Sequence, residues 1–202
     1  MKRLLFVLLL LPIIAFAGDK DQAPDWYGQE LPRWMTPDEK AAPEIAPDRL
    51  TPPPTVPVHL EAEFEPQDGI ILRYPYGFGN TIFSQMVDNF QDVGIVYILV
   101  QDAATQSNCY NHLQQRGVPM TNVEFITTGT NSVWTRDYGP WFVRKPDSSL
   151  AVIDMRYYSA RPQDDYVPEF LESYWNLDYY GPNLYPEGGN MMTHGRGAMM
   201  MT

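Results

Sequence analysis

Asn131-Ser-Val-Trp-Thr-Arg-Asp-Tyr-Gly-Pro-Trp-Phe-Val143 is the stretch that decides how this chain folds. Arg136 and Asp137 stand side by side between Trp134 and Trp141, and Tyr138-Gly139-Pro140 turns the backbone before the apolar run Trp141-Phe142-Val143. A charged pair between large aromatics, ahead of a Gly-Pro turn, is an unusual way to begin a strand. Carboxylates are seldom fully buried without a partner. An aromatic-walled site holding Asp137 suits a planar guanidinium, which gives a carboxylate two parallel hydrogen bonds. The competing reading is an Arg–Asp pair that ties down a loop, and residue types alone favour it, because structural ion pairs are common.

Upstream, strands and helices alternate. Gly69–Tyr74 reads as a buried strand, an apolar run after a turn. Asn80 is placed to cap a helix in which Ile82, Phe83, Met86, Val87 and Phe90 recur at helical spacing and which Gly94 ends. Ile95–Val100 is a second buried strand, rich in β-branched residues. A helix from about Ala103 to Arg116 follows, with Gly117 at its C-cap, and then a short strand, Val123–Ile126. This order predicts a largely parallel α/β arrangement. Downstream, Trp141–Arg144 and Leu150–Met155 predict a hairpin around Lys145–Ser149, Val167–Trp175 a short helix, and Asn183–Tyr185 and Asn190–Met192 strand pieces around Gly188-Gly189. The second half thus repeats the first loosely, as two successive modules of one architecture. The terminal run Ala198-Met-Met-Met-Thr202 reads as an element cut short.

The chain has 202 residues, enough for one ordinary domain, and a net charge of -11. Met1–Ala17 reads as a secretory signal: Lys2-Arg3, the apolar Leu4–Ile14, then the cleavage site Ala15-Phe16-Ala17. The apolar run is short for spanning a bilayer, so a secreted or periplasmic location is expected. Loss of this segment would bring the mature chain to about -13. Such acidity excludes ordinary nucleic-acid binding, which needs a basic face, and suits cationic ligands. Residues 18–57 form a proline-rich leader, expected to be extended and to contain no long helix. Trp26, Tyr27 and Trp34 could pin it to a domain beginning at residue 58, and a flexible tether is the alternative. Cys109 is the sole cysteine, so no intrachain disulfide is possible.

Four segments carry a family resemblance. Trp134-Thr-Arg-Asp-Tyr-Gly-Pro140 resembles the W-x-R-D-x-G-P segment of the bacterial peptidylarginine deiminase and agmatine deiminase family. Glu61-Ala-Glu-Phe-Glu-Pro-Gln-Asp-Gly69, Arg161-Pro-Gln-Asp-Asp165 and Glu187-Gly-Gly-Asn190 match in the family's order, from about position 58 onward. The resemblance implies an α/β fold, a partial α/β propeller (pentein), with roughly the first two ββαβ-type modules of a five-module ring in residues 58–202. It implies hydrolysis of a guanidinium to a ureido group with loss of ammonia. The substrate is either peptidyl-arginine, giving citrulline, or agmatine, giving N-carbamoylputrescine. No cofactor follows from it.

Carried over by position, the resemblance makes Asp137 the residue that holds the substrate guanidinium. Trp134 is a wall of the guanidinium pocket or an ordinary core residue, and Arg136 is structural. Glu187 supports a catalytic histidine, the job of a third group behind a base. Arg161 matches the second of two arginines that grip a peptide's C-terminal carboxylate in the peptide-acting branch, and Ser159 stands where the first would be. Export and Arg161 favour peptides, since agmatine has no carboxylate. The family's H-x-D pair and late nucleophilic cysteine have no counterpart in these 202 residues. His194 is expected in a loop, and the histidines and cysteine show no zinc spacing. Cys109 falls with Leu113 on an apolar helix stripe, the usual place of a buried free thiol, although His112 is within reach as a partner. These residues alone are therefore expected to bind arginine-bearing ligands without deiminating them.

Overall fold

The computed structural model describes residues 31–46, 49–75, 80–186 and 188–201. The signal segment 1–17, Trp26, Tyr27 and Glu187 lie outside the described residues. None of the described helices is long and apolar enough to cross a membrane.

In chain order the elements are α1 (Pro37–Ala41), β1 (His59–Leu60), β2 (Gly69–Arg73), α2 (Asn80–Phe90), β3 (Ile95–Val100), α3 (Ala103–Gln115), β4 (Val123–Thr127), α4 (Thr135–Tyr138), β5 (Trp141–Arg144), β6 (Leu150–Ile153), α5 (Pro162–Trp175), β7 (Asp178–Tyr180), β8 (Met191–Thr193) and β9 (Met199–Met201). A 3-10 turn at Gly188–Asn190 leads into β8. The strands form a parallel sheet β2-β3-β4, a mixed sheet β1-β5-β6-β7 and the hairpin β8-β9. In the mixed sheet β5 and β6 are an antiparallel hairpin, and α5 carries the chain from β6 to the parallel strand β7.

The mixed α/β class is thus as expected, and the second unit has the order β-β-α-β after the short β1. The first unit differs: β2, α2, β3, α3 and β4 alternate, with all strands parallel. Its strands read as apolar runs because α2 and α3 cover one face and α4 and α5 pack over the other. Side chains alternate across a strand, and β3 shows it. Val96, Ile98 and Val100 join Phe83, Val87, Cys109 and Leu113 in one cluster. Leu99 joins Ile126, Tyr138, Tyr157, Val167 and Leu171 in the other. Each fully buried aliphatic side chain contributes roughly 1.5–3 kcal/mol, so β3 anchors both layers. The stripe on α2 is narrower than its spacing predicts: Phe83 and Val87 are buried, whereas Ile82 and Phe90 are exposed.

Local chemistry fixes the helix ends. Asp102 accepts from Thr105 N–H at 2.7 Å to cap α3, and Gly117 takes a positive φ of 78° just beyond it. Helix α5 starts five residues before the expected Val167. Pro162 suits its first turn, where the missing N–H is no loss. The cap comes from a distant loop: Asn131 Oδ1 accepts from Gln163 N–H at 2.9 Å. Residues 183–185, expected as a strand piece, are irregular, and the strand beside β6 is β7 instead.

The described part of the leader is not pinned by the Trp34 side chain, which is exposed. It docks through its backbone and charged groups. Thr36 and Glu39 form a capping box that starts α1. Ile45 N–H donates to Ser159 Oγ at 3.2 Å, Arg49 pairs with Glu172 at 3.0 Å, and Thr51 exchanges hydrogen bonds with Gly181.

Candidate guanidinium site

Asp137 lies on α4, a single helical turn that the backbone closes upon itself. Asp137 N–H donates to the Trp134 carbonyl at 2.8 Å, and Gly139 N–H to the Thr135 carbonyl at 3.1 Å. Gly139 then adopts φ 84°, which a residue with a Cβ rarely takes, and redirects the chain into β5. This explains the odd charged start of the strand: Arg136 and Asp137 belong to a helical turn, with the strand beginning only at Trp141. Tyr138 on the same turn enters the core beside Tyr157, ring centroids 5.8 Å apart, and so fixes the orientation of its neighbour. Asp137 is buried.

Gly188 and Gly189 come up against this turn. Gly189 N–H donates to Asp137 Oδ1 at 3.2 Å. A Cβ on Gly188 would stand 1.8 Å from the Arg136 carbonyl oxygen, so only glycine permits the approach. The structure therefore brings together two segments that the sequence offered separately, W-T-R-D-Y-G-P and E-G-G-N. Trp134 is half-buried at the start of the turn, and its indole Nε1–H donates to the Leu31 carbonyl at 2.8 Å. Arg136 points outward, pairing with Glu63 at 2.5 Å and lying over the Trp141 ring. This is the structural role expected of it.

A second buried carboxylate braces the loop before the turn. Asp164 Oδ1 accepts from the N–H groups of Asn131 and Ser132 at 2.7 and 3.0 Å, and Oδ2 from the Ser132 hydroxyl at 2.6 Å. Burial pushes this carboxyl above its ordinary range, and the Ser132 hydrogen bonds oppose the shift. Together with the Asn131 cap on α5, these bonds clamp Asn131 and Ser132 to the helix. The first aspartate of R-P-Q-D-D, Asp164, thus positions the loop that leads into W-T-R-D. Sequence reasoning passed over Asp164, although its place two residues after the proline of a helix start was a usable signal.

Arg161, expected as a carboxylate clamp, is fully buried, and its partner is already supplied by the leader. Arg161 Nε and Nη2 donate to Glu39 Oε1 and Oε2 at 2.8 and 3.0 Å, and Nη2 also reaches the Trp34 carbonyl at 3.0 Å. Nη1 donates to the Tyr157 hydroxyl at 3.3 Å, which links Arg161 to the Tyr138–Tyr157 pair. The Arg161 hydrogen bonds hold the Glu39 carboxyl below its ordinary range. In this arrangement Arg161 faces the leader rather than solvent, which corrects the expectation of an open clamp. The physical reason is the bidentate fit between a guanidinium and a carboxylate. The residue that sequence reasoning missed is Glu39; the capping-box pattern Thr36-x-x-Glu39 signals the start of α1 but not the pairing with Arg161.

Cys109 is buried on α3, and burial pushes its thiol up to about 12. A thiol held protonated in this way is a poor nucleophile. His194 sits exposed in the β8–β9 turn, where its Nδ1 accepts from Arg196 N–H at 2.9 Å. Among the described residues, His59, Glu61 and Glu65 offer atoms within 4.8 Å of one another, a grouping that counting histidines and cysteines did not reveal. These groups already hold one another: His59 Nε2 lies 3.3 Å from Glu61 and 3.0 Å from Glu65, and Arg144 Nε donates to Glu61 at 2.7 Å.

Known proteins resemble this chain in sequence and in fold. The family model of the Porphyromonas-type peptidyl-arginine deiminases matches residues 59–202. A Mycoplasma mycoides subsp. mycoides protein described as "Putative agmatine deiminase" is 28% identical over 91 residues, covering 40% of this chain and 25% of its own. The agmatine deiminase of C. jejuni superposes with a TM-score of 0.59 at 20% identity, over 70% of this chain and 44% of that one. A structure described as "Putative Arginine Deiminase" from Porphyromonas gingivalis superposes at 0.58 with 16% identity, over 72% and 47%. The chain spans a quarter of the curated relative and less than half of each solved structure. With the family match extending over residues 59–202, from β1 through the Asp137 turn to the last strand, the chain belongs to the Porphyromonas-type peptidyl-arginine deiminase family.

Proposed function

We propose that this chain provides the guanidinium-binding part of a deiminase acting on peptidyl-arginine, with Asp137 as the carboxylate that receives the substrate cation. The observation that carries this reading is the fixed, buried Asp137, set on a one-turn helix against the Gly188–Gly189 turn. A carboxylate oriented in advance binds a planar guanidinium without reorganising. Glu187, next to Gly188 in the chain, is proposed to support the base. The hydrolysis itself needs a thiolate at the guanidinium carbon, a base to move protons, loss of ammonia and then attack by water. Cys109 does not supply that thiolate, so residues 1–202 by themselves are proposed to bind and not to turn over. We further propose export through Met1–Ala17, and a ring of repeated modules in which residues 58–202 provide the first two.

Agmatine is the second substrate reading. Arg161, the residue that favoured a peptide carboxylate, is held by Glu39, and agmatine has no carboxylate to place there. Calorimetric titration tests the reading common to both: glycyl-arginine or agmatine binds, and glycyl-citrulline, which is nearly isosteric but neutral, binds at least about tenfold more weakly, a difference of about 1.4 kcal/mol. Equal affinity for arginine and citrulline peptides would overturn the guanidinium reading. Comparing glycyl-arginine with agmatine then separates the two substrates.

A further inference from the structure

The leader presents to this site the two groups that an arginine peptide would present. Arg33 and Glu39 lie six positions apart on one short segment. The position of a Cβ on Gly189 would be 3.6 Å from Arg33 Nη1 and 3.2 Å from Asp137 Oδ1, so a guanidinium of the chain itself stands near the carboxylate read as the guanidinium contact. Glu39 fills the fork of Arg161 with both of its oxygens, as a peptide carboxylate would. On the same segment the Leu31 carbonyl takes the Trp134 indole N–H and the Trp34 carbonyl takes Arg161 Nη2.

We propose that residues 31–41 are an intramolecular substrate mimic, with Arg33 set near Asp137 and Glu39 in the fork of Arg161, so that an arginine-bearing ligand enters only by displacing them. The inference rests on Asp137 being the guanidinium contact. The segment is built to be displaced: α1 has five residues, none of them buried, and a helix that short has little stability of its own. Exchanging Glu39 for another carboxylate keeps the bidentate pair on Arg161, so the buried guanidinium need not lose its partner during the exchange. Agmatine requires only the Arg33 end to move, whereas a C-terminal arginine requires both ends. Glu39 would then set which substrates compete with the leader.

The test uses the 202-residue chain with Arg33→Ala, Glu39→Gln and the double variant, titrated with glycyl-arginine, glycyl-arginine amide and agmatine. Tryptic cleavage after Lys40 reports release of the segment. Arg33→Ala leaves the core untouched because Arg33 is exposed, and in Glu39→Gln the side-chain amide oxygen can still accept from Arg161. Arg33→Ala is expected to tighten binding of all three ligands by similar factors. Glu39→Gln should speed cleavage after Lys40 and tighten glycyl-arginine by about tenfold while leaving the amide and agmatine within about twofold. Affinities unchanged in every variant would make the segment structural and overturn the mimic while leaving the guanidinium reading intact. Binding of none of the ligands to any variant, even with the segment released, would overturn both.

Discussion

Arg136 and Arg161 are the two arginines of the family-like segments, and their surroundings are opposite. Arg136 lies within the W-T-R-D motif, yet its side chain is half exposed, sharing Glu63 with solvent. Arg161 is expected as an open carboxylate clamp, yet it is fully buried, with Glu39 bound across Nε and Nη2. A surface pair contributes about 0–1 kcal/mol because water screens it and the side chains lose freedom. A buried pair depends on both partners, since removing one strands a charge in a poorly solvated place. Position in a motif therefore does not show which guanidinium is structural. The chain that crosses it decides, and for Arg161 that chain comes from 122 positions away.

Truncating the two arginines measures this contrast. Arg161→Ala should destabilise the chain by about 3–5 kcal/mol, because it leaves the Glu39 carboxylate without its bidentate partner and unties the leader. Urea unfolding followed by tryptophan fluorescence would show it. A loss no larger than that of a surface pair would mean that leader and domain are energetically separate. An effect of similar size, but one that depends on pH, is expected further along the same seam, at Asp154, which accepts from the Tyr179 hydroxyl at 2.7 Å beneath Arg49. Burial raises its carboxyl to about 7 from an ordinary 3.8. The folded state then keeps the proton where the unfolded chain has lost it. The associated stability is fully present below about pH 4 and is lost as pH rises through 7. At about 1.4 kcal/mol per unit, the span is on the order of 4 kcal/mol. Asp154→Asn should flatten this fall and be more stable than wild type at pH 8. An unaltered pH profile in Asp154→Asn would show that the carboxyl ionises as in the unfolded chain. Arg136→Ala, the smallest effect, should cost under about 1 kcal/mol, and less in high salt. A loss as large as that for Arg161→Ala would erase the contrast.

The elements governed by local signals were legible in the sequence. Strand β3 occupies Ile95–Val100 as its β-branched run predicts, and α3 ends at the Gly117 signal. The hairpin β5–β6 forms around Lys145–Ser149. The start of α5 was hidden because its cap, Asn131, comes from another loop. The helical turn at 135–138 was hidden because its four residues carry no period, and Gly188 is what stabilises its approach. The aromatic flanks and the motif of Asp137 could be read directly. The occupation of Arg161 could not, since proline spacing shows that a leader lacks long helices but not where it lies.

Asp137→Asn tests the central claim most directly, because it removes one charge with almost no change in size and keeps an acceptor for Gly189 N–H. Agmatine would be titrated calorimetrically into wild type and variant, with circular dichroism confirming an equal fold. The account predicts that the variant loses at least about tenfold in affinity, or about 1.4 kcal/mol. Equal affinity in a folded variant would contradict it and leave Asp137 as a brace for the glycine turn.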